Sequence, residues 1–369
     1  MSDVKYWVAF SLIPKLGTVR FRRLEGHFKS LEVAWTAGSS EFRAAGIDDK
    51  TARAIVTHRD GISPDGEMEK LGKAGVRALT WNDASYPPRL KEIHDPPPVL
   101  YIRGEILPQD ERSVAVVGTR KGTAYGREAA RTLSRELARS GVAIVSGLAR
   151  GIDSIAHRAA LEAEGRTIAV FGCGLDVIYP PEHRRLATDI LDRGALVSEH
   201  PLGTRPEARH FPRRNRIISG MTLGTLVVEA GETSGALLTV RQALEQNREV
   251  FCVPGSILSP VSRGTNALIQ EGAKLVVNHT DILEELNLTV VSHQIEMREM
   301  LHPADDNESV VLDYLSHEPV HIDEIRRRSG LPIAVVSSTL PVMELNGTVQ
   351  QVGGMNYTRI REALAGYGN

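Results

Sequence analysis

Cysteine is scarce in this chain, and long apolar runs and an excess of charge of one sign are missing. The two cysteines, Cys173 and Cys252, lie far apart and form no CxxC pair, which argues against a disulfide framework and a zinc site. No apolar run approaches the roughly 18 residues of a membrane span. The first residues lack the basic and apolar regions of a signal peptide. We therefore expect a soluble protein of the reducing cytoplasm, with no metal and no membrane partner.

The charge balance excludes a generic polycation. The chain has 44 Lys and Arg against 46 Asp and Glu, so a nucleic-acid site has to be a local patch. Such a patch lies at residues 205–220, where five arginines surround Phe211: Arg205, Arg209, Arg213, Arg214 and Arg216. Guanidinium groups beside an aromatic ring suit a phosphate backbone and a stacked, unpaired base. The alternative interpretation is a solvated basic loop.

The middle of the chain alternates buried apolar runs with amphipathic stretches. The runs lie at 114–117, 142–145, 167–171, 195–197, 226–228 and 249–253. Continuous rather than alternating hydrophobicity is typical of strands covered on both faces. The stretches at 126–139 and 152–163 are long enough for crossover helices. This pattern predicts an α/β domain at 66–285, built on a doubly wound parallel sheet.

The flanking regions predict two smaller domains, in keeping with a length of 369 residues. Residues 1–65 contain short helices after glycine turns, which resemble helix-hairpin-helix elements; the alternative is a small helical interaction domain. A polar linker is expected at 286–308. Three helical windows and a hairpin at 309–369 predict a winged helix.

The winged helix carries a doubtful recognition helix. The window 333–345 contains no Lys or Arg, although a helix that reads a DNA groove normally needs donors and positive charge. Pro341 is expected to kink or cap this helix. A protein contact or a weak auxiliary role is therefore favoured over sequence-specific reading of duplex DNA.

Glycine-rich turns follow four of the predicted strands. They lie at 118–126, 146–153, 172–176 and 229–239. Ligands of open parallel sheets bind at the carboxyl ends of the strands, so the turn amides and helix N-termini should form an anion cradle there. Basic residues lie within the turns, at Arg120, Lys121 and Arg150. Taken singly, each turn could equally be a tight strand-to-helix connection.

The glycine spacing indicates the kind of anion. G-x3-G-x3-G is neither the dinucleotide fingerprint nor a Walker A sequence, which disfavours an NAD-dependent dehydrogenase. The arginines exceed what one pyrophosphate requires, so a polymeric anion fits better than a small cofactor, and no cofactor is expected. A nucleotide phosphoribohydrolase of the lysine-decarboxylase-like group is the alternative, but its Pro-Gly-Gly-x-Gly-Thr turn is missing.

Catalytic candidates are few, and the sequence does not demand an enzyme. Glu229, Glu232 and Asp153 lie in the ligand turns, but acids there can also cap helices or hold arginines. His157 and His210 have no metal-ligand partner at useful spacing. A structural or phosphate-facing role is expected for both.

Several of these motifs together resemble the DNA-processing protein A family, also called DprA or Smf. They are Val-Ala-Val-Val-Gly-Thr-Arg at 114–120, Ser-Gly-Leu-Ala-Arg-Gly-Ile-Asp at 146–153, Phe-Pro-Arg-Arg-Asn-Arg-Ile-Ile-Ser-Gly at 211–220 and Glu-Ala-Gly-Glu-Thr-Ser-Gly-Ala at 229–236. The resemblance covers about residues 80–280. Pro341 departs from the family pattern, in which we expect Leu.

The resemblance implies an extended Rossmann-fold protein that binds single-stranded DNA without catalysis. It also implies protection of incoming DNA, loading of RecA recombinase during natural transformation and homologous recombination, and a homodimer. The DNA-facing positions implied by the family are Gly118, Arg120, Gly147, Arg150, Phe211, Arg214, Asn215 and Arg216. From the same turns and the arginine-rich segment we add Thr119, Lys121, Gly151, Arg213, Ser234 and Gly235. Replacing Arg214 and Arg216 by Ala is expected to weaken binding and to leave the fold intact.

Overall fold

The computed structural model describes residues 3–288, 305–316, 318–345 and 348–359. They belong to two compact units, residues 1–289 and residues 290–369. Most of the predicted linker at 286–308 lies outside the described residues. Within the described ranges, no helix has the length and apolarity needed to cross a membrane.

The described part of the first unit contains fourteen α-helices and three short 3-10 helices. The α-helices are α1 (Val4–Ser11), α2 (Thr18–His27), α3 (Leu31–Thr36), α4 (Ser39–Ala44), α5 (Asp49–Arg59), α6 (Pro64–Lys73), α7 (Pro88–Glu92), α8 (Ala124–Arg139), α9 (Ile152–Glu162), α10 (Arg184–Leu191), α11 (His210–Gly220), α12 (Ala236–Glu245), α13 (Arg263–Gln270) and α14 (Thr280–Glu285). The 3-10 helices are Pro108–Glu111, Pro181–His183 and Pro260–Ser262.

One nine-stranded sheet organises this unit. Its strands are β1 (Arg77–Thr80), β2 (Val99–Gly104), β3 (Ser113–Val117), β4 (Ala143–Ser146), β5 (Thr167–Phe171), β6 (Gly194–Ser198), β7 (Gly224–Val227), β8 (Glu249–Cys252) and β9 (Lys274–Leu275). The order is β1-β2-β6-β5-β4-β3-β7-β8-β9. Strands β3 to β9 pair in parallel, whereas β2 and β1 add an antiparallel edge beside β6.

Both faces of the central strand β3 are buried, because its alternate residues enter different cores. Along β3, Ala115 and Val117 belong to one apolar cluster, and Val114 and Val116 belong to the other. Helices α8 and α9 cover the second face, and α10, α11 and α12 cover the first. This is the predicted doubly wound parallel sheet, and the fold class is confirmed.

The N-terminal helices share the core of the first face. Trp7 and Phe21 stack at 5.5 Å between ring centroids, and Trp7 meets Trp81 edge-on at 5.3 Å. The hydroxyls of Ser11 and Tyr101 are 2.6 Å apart. Residues 1–65 thus belong to the same compact unit as the sheet, and the boundary at residue 65 stays a prediction.

The arginine-rich segment is helical at residues 210–220, so the alternative interpretation of a solvated loop does not hold there. The buried residues of this helix, α11, include Arg214 and Arg216 as well as Ile217 and Ile218. A helix turns about 100° per residue, so the neighbouring arginines face different surroundings.

The second unit has the predicted three helices and hairpin. Its elements are α15 (Asp305–Asp313), β10 (Val320–His321), α16 (Ile322–Ser329), α17 (Ile333–Leu345), β11 (Val349–Gln351) and β12 (Asn356–Arg359). The strands form an antiparallel sheet in the order β10-β12-β11. Ile325, Val336, Leu340 and Tyr357 are buried in a core of their own. Pro341 lies inside α17, which continues to Leu345.

Candidate nucleic-acid interface

A cavity of about 630 Å³ opens at the carboxyl end of β3. From β3 the chain adds β4, β5 and β6 on one side, and β7, β8 and β9 extend the sheet on the other side. Such a reversal of strand order separates the flanking loops and leaves a crevice for ligands. The central cavity, as we call it, lies at this position.

Three predicted segments line the central cavity. The turn after β3 contributes Gly118, Thr119 and Arg120. Helix α11 contributes Phe211, Pro212, Arg214, Asn215 and Ile218, and the start of α12 with the turn before it contributes Ser234, Gly235, Ala236, Leu238 and Thr239. The predicted site residues in the lining are Gly118, Thr119, Arg120, Phe211, Arg214, Asn215, Ser234 and Gly235. A smaller adjoining pocket shares Arg120, Phe211 and Arg214 and adds Gly147 and Arg150.

An aromatic and arginine cluster forms the wall between the two pockets. The guanidinium carbons of Arg120 and Arg214 each lie 6.0 Å from the centre of the Phe211 ring. Tyr179 lies 5.5 Å from the same ring at an angle of 35°, and it is 37% exposed. Cations at this distance from an aromatic face are held by its quadrupole. A base can therefore stack on the exposed ring beside a guanidinium group.

Arg214 is a buried structural residue at the base of this cluster. It is 5% exposed, and its Nη1 donates to the Gly147 carbonyl at 2.7 Å and also to the Val170 carbonyl. Burial lowers the pKa of Arg214 to about 10, so the group remains charged at neutral pH. The guanidinium thus ties the turn after β4 to β5 and supports Phe211 from below.

Arg216 lies outside the central cavity, in a buried ion-pair network. It is 3% exposed. Its Nε donates to Asp95 Oδ2 at 2.8 Å, and its two Nη atoms donate to the Glu199 carboxylate at 3.1 and 2.8 Å. Burial lowers the pKa of Arg216, but Glu199 and Asp95 outweigh it, so that the net shift is upward.

The burial of Arg214 and Arg216 contradicts one expectation. Replacing both by Ala cannot leave the fold intact. The buried carbonyls of Gly147 and Val170 and the Glu199 carboxylate would lose their hydrogen-bond donors. The amino-acid sequence did not distinguish these two arginines from exposed ones, because the motif itself does not indicate which face of the helix is buried.

Part of the expected anion cradle is filled by the protein's own carboxylates. Asp153 Oδ2 accepts from the amides of Gly147 and Ala149 at 3.1 and 3.4 Å. Glu229 accepts from the Thr123 amide at 2.9 Å and from the Thr123 hydroxyl at 2.5 Å. Both acids therefore hold the turns in place, as capping acids do. Burial raises the pKa of Asp153.

Four predicted site residues line neither the central cavity nor the adjoining pocket: Lys121, Gly151, Arg213 and Arg216. Lys121 is exposed, and Gly151 adopts a φ of 76° beside the Thr119 and Arg120 backbone. Arg213 lies on another side of α11 and, like Arg216, approaches Glu199, at 3.5 Å. Arg150 lines the adjoining pocket and its Nε donates to Glu182 at 2.5 Å.

Sequence reasoning missed several residues of the site. Tyr179, Leu238 and Thr239 line the cavity. Tyr179 follows the third glycine turn, and Thr239 ends the fourth, so their positions after strands were a usable signal. Glu199 also follows a strand directly. Asp95 had no such signal, because it pairs with Arg216 across 121 residues.

The histidines have structural positions. His157 is fully buried, its Nδ1 lies 2.7 Å from the Thr167 hydroxyl, and burial lowers its pKa to about 3. His210 stacks on His200 at 4.3 Å between ring centroids. Among the residues that the structure describes, no group of His, Cys, Asp and Glu is arranged to hold a metal ion.

Comparisons with known proteins agree with the motifs. Residues 77–287 match the model of the DNA recombination-mediator protein A family. Residues 298–355 match the model of the DprA winged helix domain. Protein Smf of Synechocystis is 36% identical over 97% of this chain and 99% of its own length.

Two solved structures are similar to this chain. DNA processing protein A from Streptococcus pneumoniae is 35% identical, has a TM-score of 0.67, and covers 76% of this chain and 96% of its own. DNA processing protein A from Helicobacter pylori, described for its single-stranded DNA binding mode, is 31% identical. It has a TM-score of 0.52 and covers 57% of this chain and 95% of its own.

These matches confirm the family and the winged-helix domain that the sequence predicted. The family is one of recombination mediators rather than of enzymes. Its model spans the whole sheet from β1 to β9, together with the turns and the helix that line the central cavity. With this matched region and a relative that is similar over nearly the full length, the chain belongs to the DNA recombination-mediator protein A (DprA/Smf) family.

Proposed function

We propose that this protein binds single-stranded DNA in the central cavity. The observation that carries the proposal is the Arg120, Phe211 and Tyr179 cluster at the rim of the cavity. An unpaired base stacks on the aromatic rings, and Arg120 pairs with a neighbouring phosphate. A paired base has no free face for such stacking, so the site favours unpaired strands.

The relative from Helicobacter pylori supports this proposal, since its structure is described in terms of a single-stranded DNA binding mode. The main-chain amides contribute less than the sequence suggested, because Asp153 and Glu229 occupy several of them. Side-chain cations and aromatic rings therefore supply most of the binding.

We further infer a role in recombination: the protein protects incoming DNA and loads RecA recombinase onto it during natural transformation. Membership of a family of recombination mediators supports this inference.

We also propose that the protein forms a homodimer. Ile257 and Leu258, at 84% and 86% exposed, lie on the chain segment between β8 and the short edge strand β9, and exposed apolar residues together with an exposed sheet edge are suited to self-association.

The direct test is fluorescence anisotropy with a labelled oligo-dT and with a duplex of equal length, at two salt concentrations. The single strand should bind more tightly, and its affinity should fall with salt with a slope of about −0.7 per phosphate contact. Equal affinity for the duplex would contradict the stacking site.

The matched variant is Arg120→Ala, because Arg120 is exposed and lines both pockets. We expect an affinity loss of about tenfold and a salt slope smaller by about 0.7, since one phosphate contact is lost. The melting temperature should not change. Arg139→Ala is the control, because Arg139 is also exposed but lies in the last turn of α8.

RecA loading is tested by filament assembly on single strands coated with a single-strand binding protein, with and without this protein. Faster assembly is expected, and Arg120→Ala should reduce the effect.

Sedimentation of the purified chain tests the dimer. The phosphoribohydrolase alternative has no supporting contact in the cavity; release of free base from nucleoside monophosphates would restore it.

A further inference from the structure

A second groove lies between the N-terminal helices and the start of α11. Its volume is about 740 Å³. One wall is the segment 11–21, which joins α1 to α2, and the other includes residues 199–201 and Arg209, His210 and Arg213. We call it the N-terminal groove. No motif that identifies the family lies in its first wall.

The lining of the N-terminal groove is cationic. Lys15, Arg20, Arg209 and Arg213 line it, against the two carboxylates of Asp95 and Glu199. Those carboxylates already bind the buried Arg216. Three of the lining cations also have carboxylate partners: Arg20 pairs with Asp48 and Arg209 pairs with Glu207, each at 2.8 Å, and Arg213 approaches Glu199 at 3.5 Å. The Lys15 charge remains beyond these pairs, so the net charge of the groove is positive and attracts a polyanion.

Arg20 also fixes the geometry of the first wall. Its Nη1 donates to the Lys15 carbonyl at 2.9 Å, and its Nε and Nη2 donate to Asp48 at 3.1 and 2.8 Å. Lys15 has a φ of 68°, so the turn that presents it is specific. Its ammonium group is carried on an exposed side chain.

The groove is a preformed part of the first unit. Thr18 Oγ1 donates to the Pro96 carbonyl at 3.0 Å, and Ser11 contacts Tyr101 of β2. The aromatic residues of α1 and α2 belong to the core of the sheet. The two walls are therefore tied to one framework, and a ligand can contact both without ordering a flexible joint.

The central cavity and the N-terminal groove adjoin the same turn of helix α11. Phe211, Arg214 and Asn215 face the cavity, and His210 and Arg213 face the groove. A chain that leaves the cavity toward the groove crosses the amino end of this eleven-residue helix, beside the exposed Arg209. Helix N-termini and arginines both favour phosphate.

We propose that the N-terminal groove is a second phosphate-binding site for the same DNA strand that occupies the central cavity. This inference rests on the proposed single-stranded DNA binding. It explains why the arginines at 209 and 213 point away from the cavity that Arg214 supports. It also gives the N-terminal helices a direct role in extending the footprint of the protein on DNA.

The experiment measures affinity by anisotropy for an oligo-dT series of about 4 to 16 nucleotides, the usual range of site sizes. Affinity should rise with length beyond the shortest bound oligomer, as the strand reaches the groove. The test variant is Lys15→Gln with Arg209→Gln, which keeps the side-chain stems. The control is Lys50→Gln with Arg139→Gln, an equal change of charge at exposed residues that line neither site.

For the long oligomers we expect the test variant to lose about tenfold in affinity and about 1.4 in salt slope, because two phosphate contacts disappear. The short oligomers should bind it as they bind the parent. Unchanged binding of the long oligomers would overturn the groove while leaving the central site intact. No binding of any oligomer to the parent would instead refute the proposed function.

A competition measurement with another polyanion completes the experiment. Poly-glutamate should compete with long oligo-dT only weakly, since it lacks bases to stack in the central cavity. A different result would show that the DNA assignment is wrong. In that case the parent binds poly-glutamate tightly, whereas the test variant loses its affinity for poly-glutamate and keeps its affinity for every oligo-dT. The groove would then be a site for an acidic protein segment.

Discussion

The turn after β3 and the helix α11 use arginine in opposite ways. Arg120 in the turn is exposed and lies above the Phe211 ring, whereas Arg214 and Arg216 in the helix are buried among carbonyls and carboxylates. An arginine-rich motif is therefore not a list of ligand contacts. Its exposed members are the ones that a ligand could reach, and its buried members set the shape of the surface.

Each buried arginine connects segments that are distant in sequence. Arg214 joins the turn after β4 to β5, and Arg216 joins α11 to the connector before β2 and to the end of β6. Since both sit on one helix, α11 is fixed from two sides. Phe211 can then keep its place relative to Arg120 in the free protein, which would reduce the entropic cost of the proposed DNA binding.

The comparison predicts its largest effect for Arg216→Ala. Removal of one partner from a buried ion pair costs about 3–5 kcal/mol, since the Glu199 carboxylate, 7% exposed, loses its two donors. The measurement is the free energy of unfolding of the full chain in urea.

The control for this prediction is Arg213→Ala. The Arg213 side chain is 54% exposed and also approaches Glu199, at 3.5 Å. Because water solvates this arginine and Arg216 still holds the Glu199 carboxylate, loss of Arg213 should cost at most about 1 kcal/mol. If the two variants were equally stable, Arg216 would not be the structural residue that its contacts indicate.

An intermediate effect is expected for Gly147→Ala. A methyl group at Gly147 would overlap the Arg214 guanidinium, which two carbonyl acceptors hold in place. Overpacking of this kind costs about 1–3 kcal/mol. Because Arg214 supports Phe211, oligo-dT affinity should also fall, and both quantities are measured on the same preparation.

Gly26→Ala is the matched control for the glycine variant. Gly26 lies within α2, and a methyl group there meets open space. Alanine is the better helix former, so stability should hold or rise and DNA binding should not change. A stable, fully active Gly147→Ala protein would show that Arg214 can move without cost.

The smallest effect is expected at the rim, for Glu182→Gln. Glu182 holds Arg150 in an exposed pair, with side chains 48% and 57% exposed. Loss of the pair should leave stability nearly unchanged, because water screens both charges. With Arg150 released and one negative charge removed, affinity for oligo-dT should rise by about twofold to threefold.

Glu164→Gln removes the same charge from another exposed pair, with Arg193, and should leave affinity unchanged. A drop in affinity for Glu182→Gln would mean that Glu182 orients Arg150 toward the DNA rather than holding it back.

The sheet was predictable because strands buried on both faces leave continuous apolar runs. The run 167–171 coincides with β5, and the other five runs differ from the observed strands by one or two residues at one or both ends. The turn residues Gly118 to Arg120 were predictable for the same reason, since the carboxyl ends of parallel strands meet at one edge.

The roles of the arginines in α11 could not be predicted in this way. Their partners are a carboxylate 121 residues earlier, another 17 residues earlier, and main-chain carbonyls of two strand ends. The residues of the motif do not indicate which distant residues they contact. The N-terminal groove could not be predicted either, because the strands β1 to β6 lie between its two walls in the amino-acid sequence.

Hydrophobic patterning and local charge are properties of neighbouring residues. The amino-acid sequence was therefore enough to predict the parallel sheet and the sheet edge at which the glycine turns meet, and to favour a polyanion as the proposed ligand. Which arginines face solvent and which support the cavity became visible in the folded chain. Burial depends on what the rest of the chain places against each helix face, and for Arg214 and Arg216 that neighbour is other strands and a connector, not the motif itself.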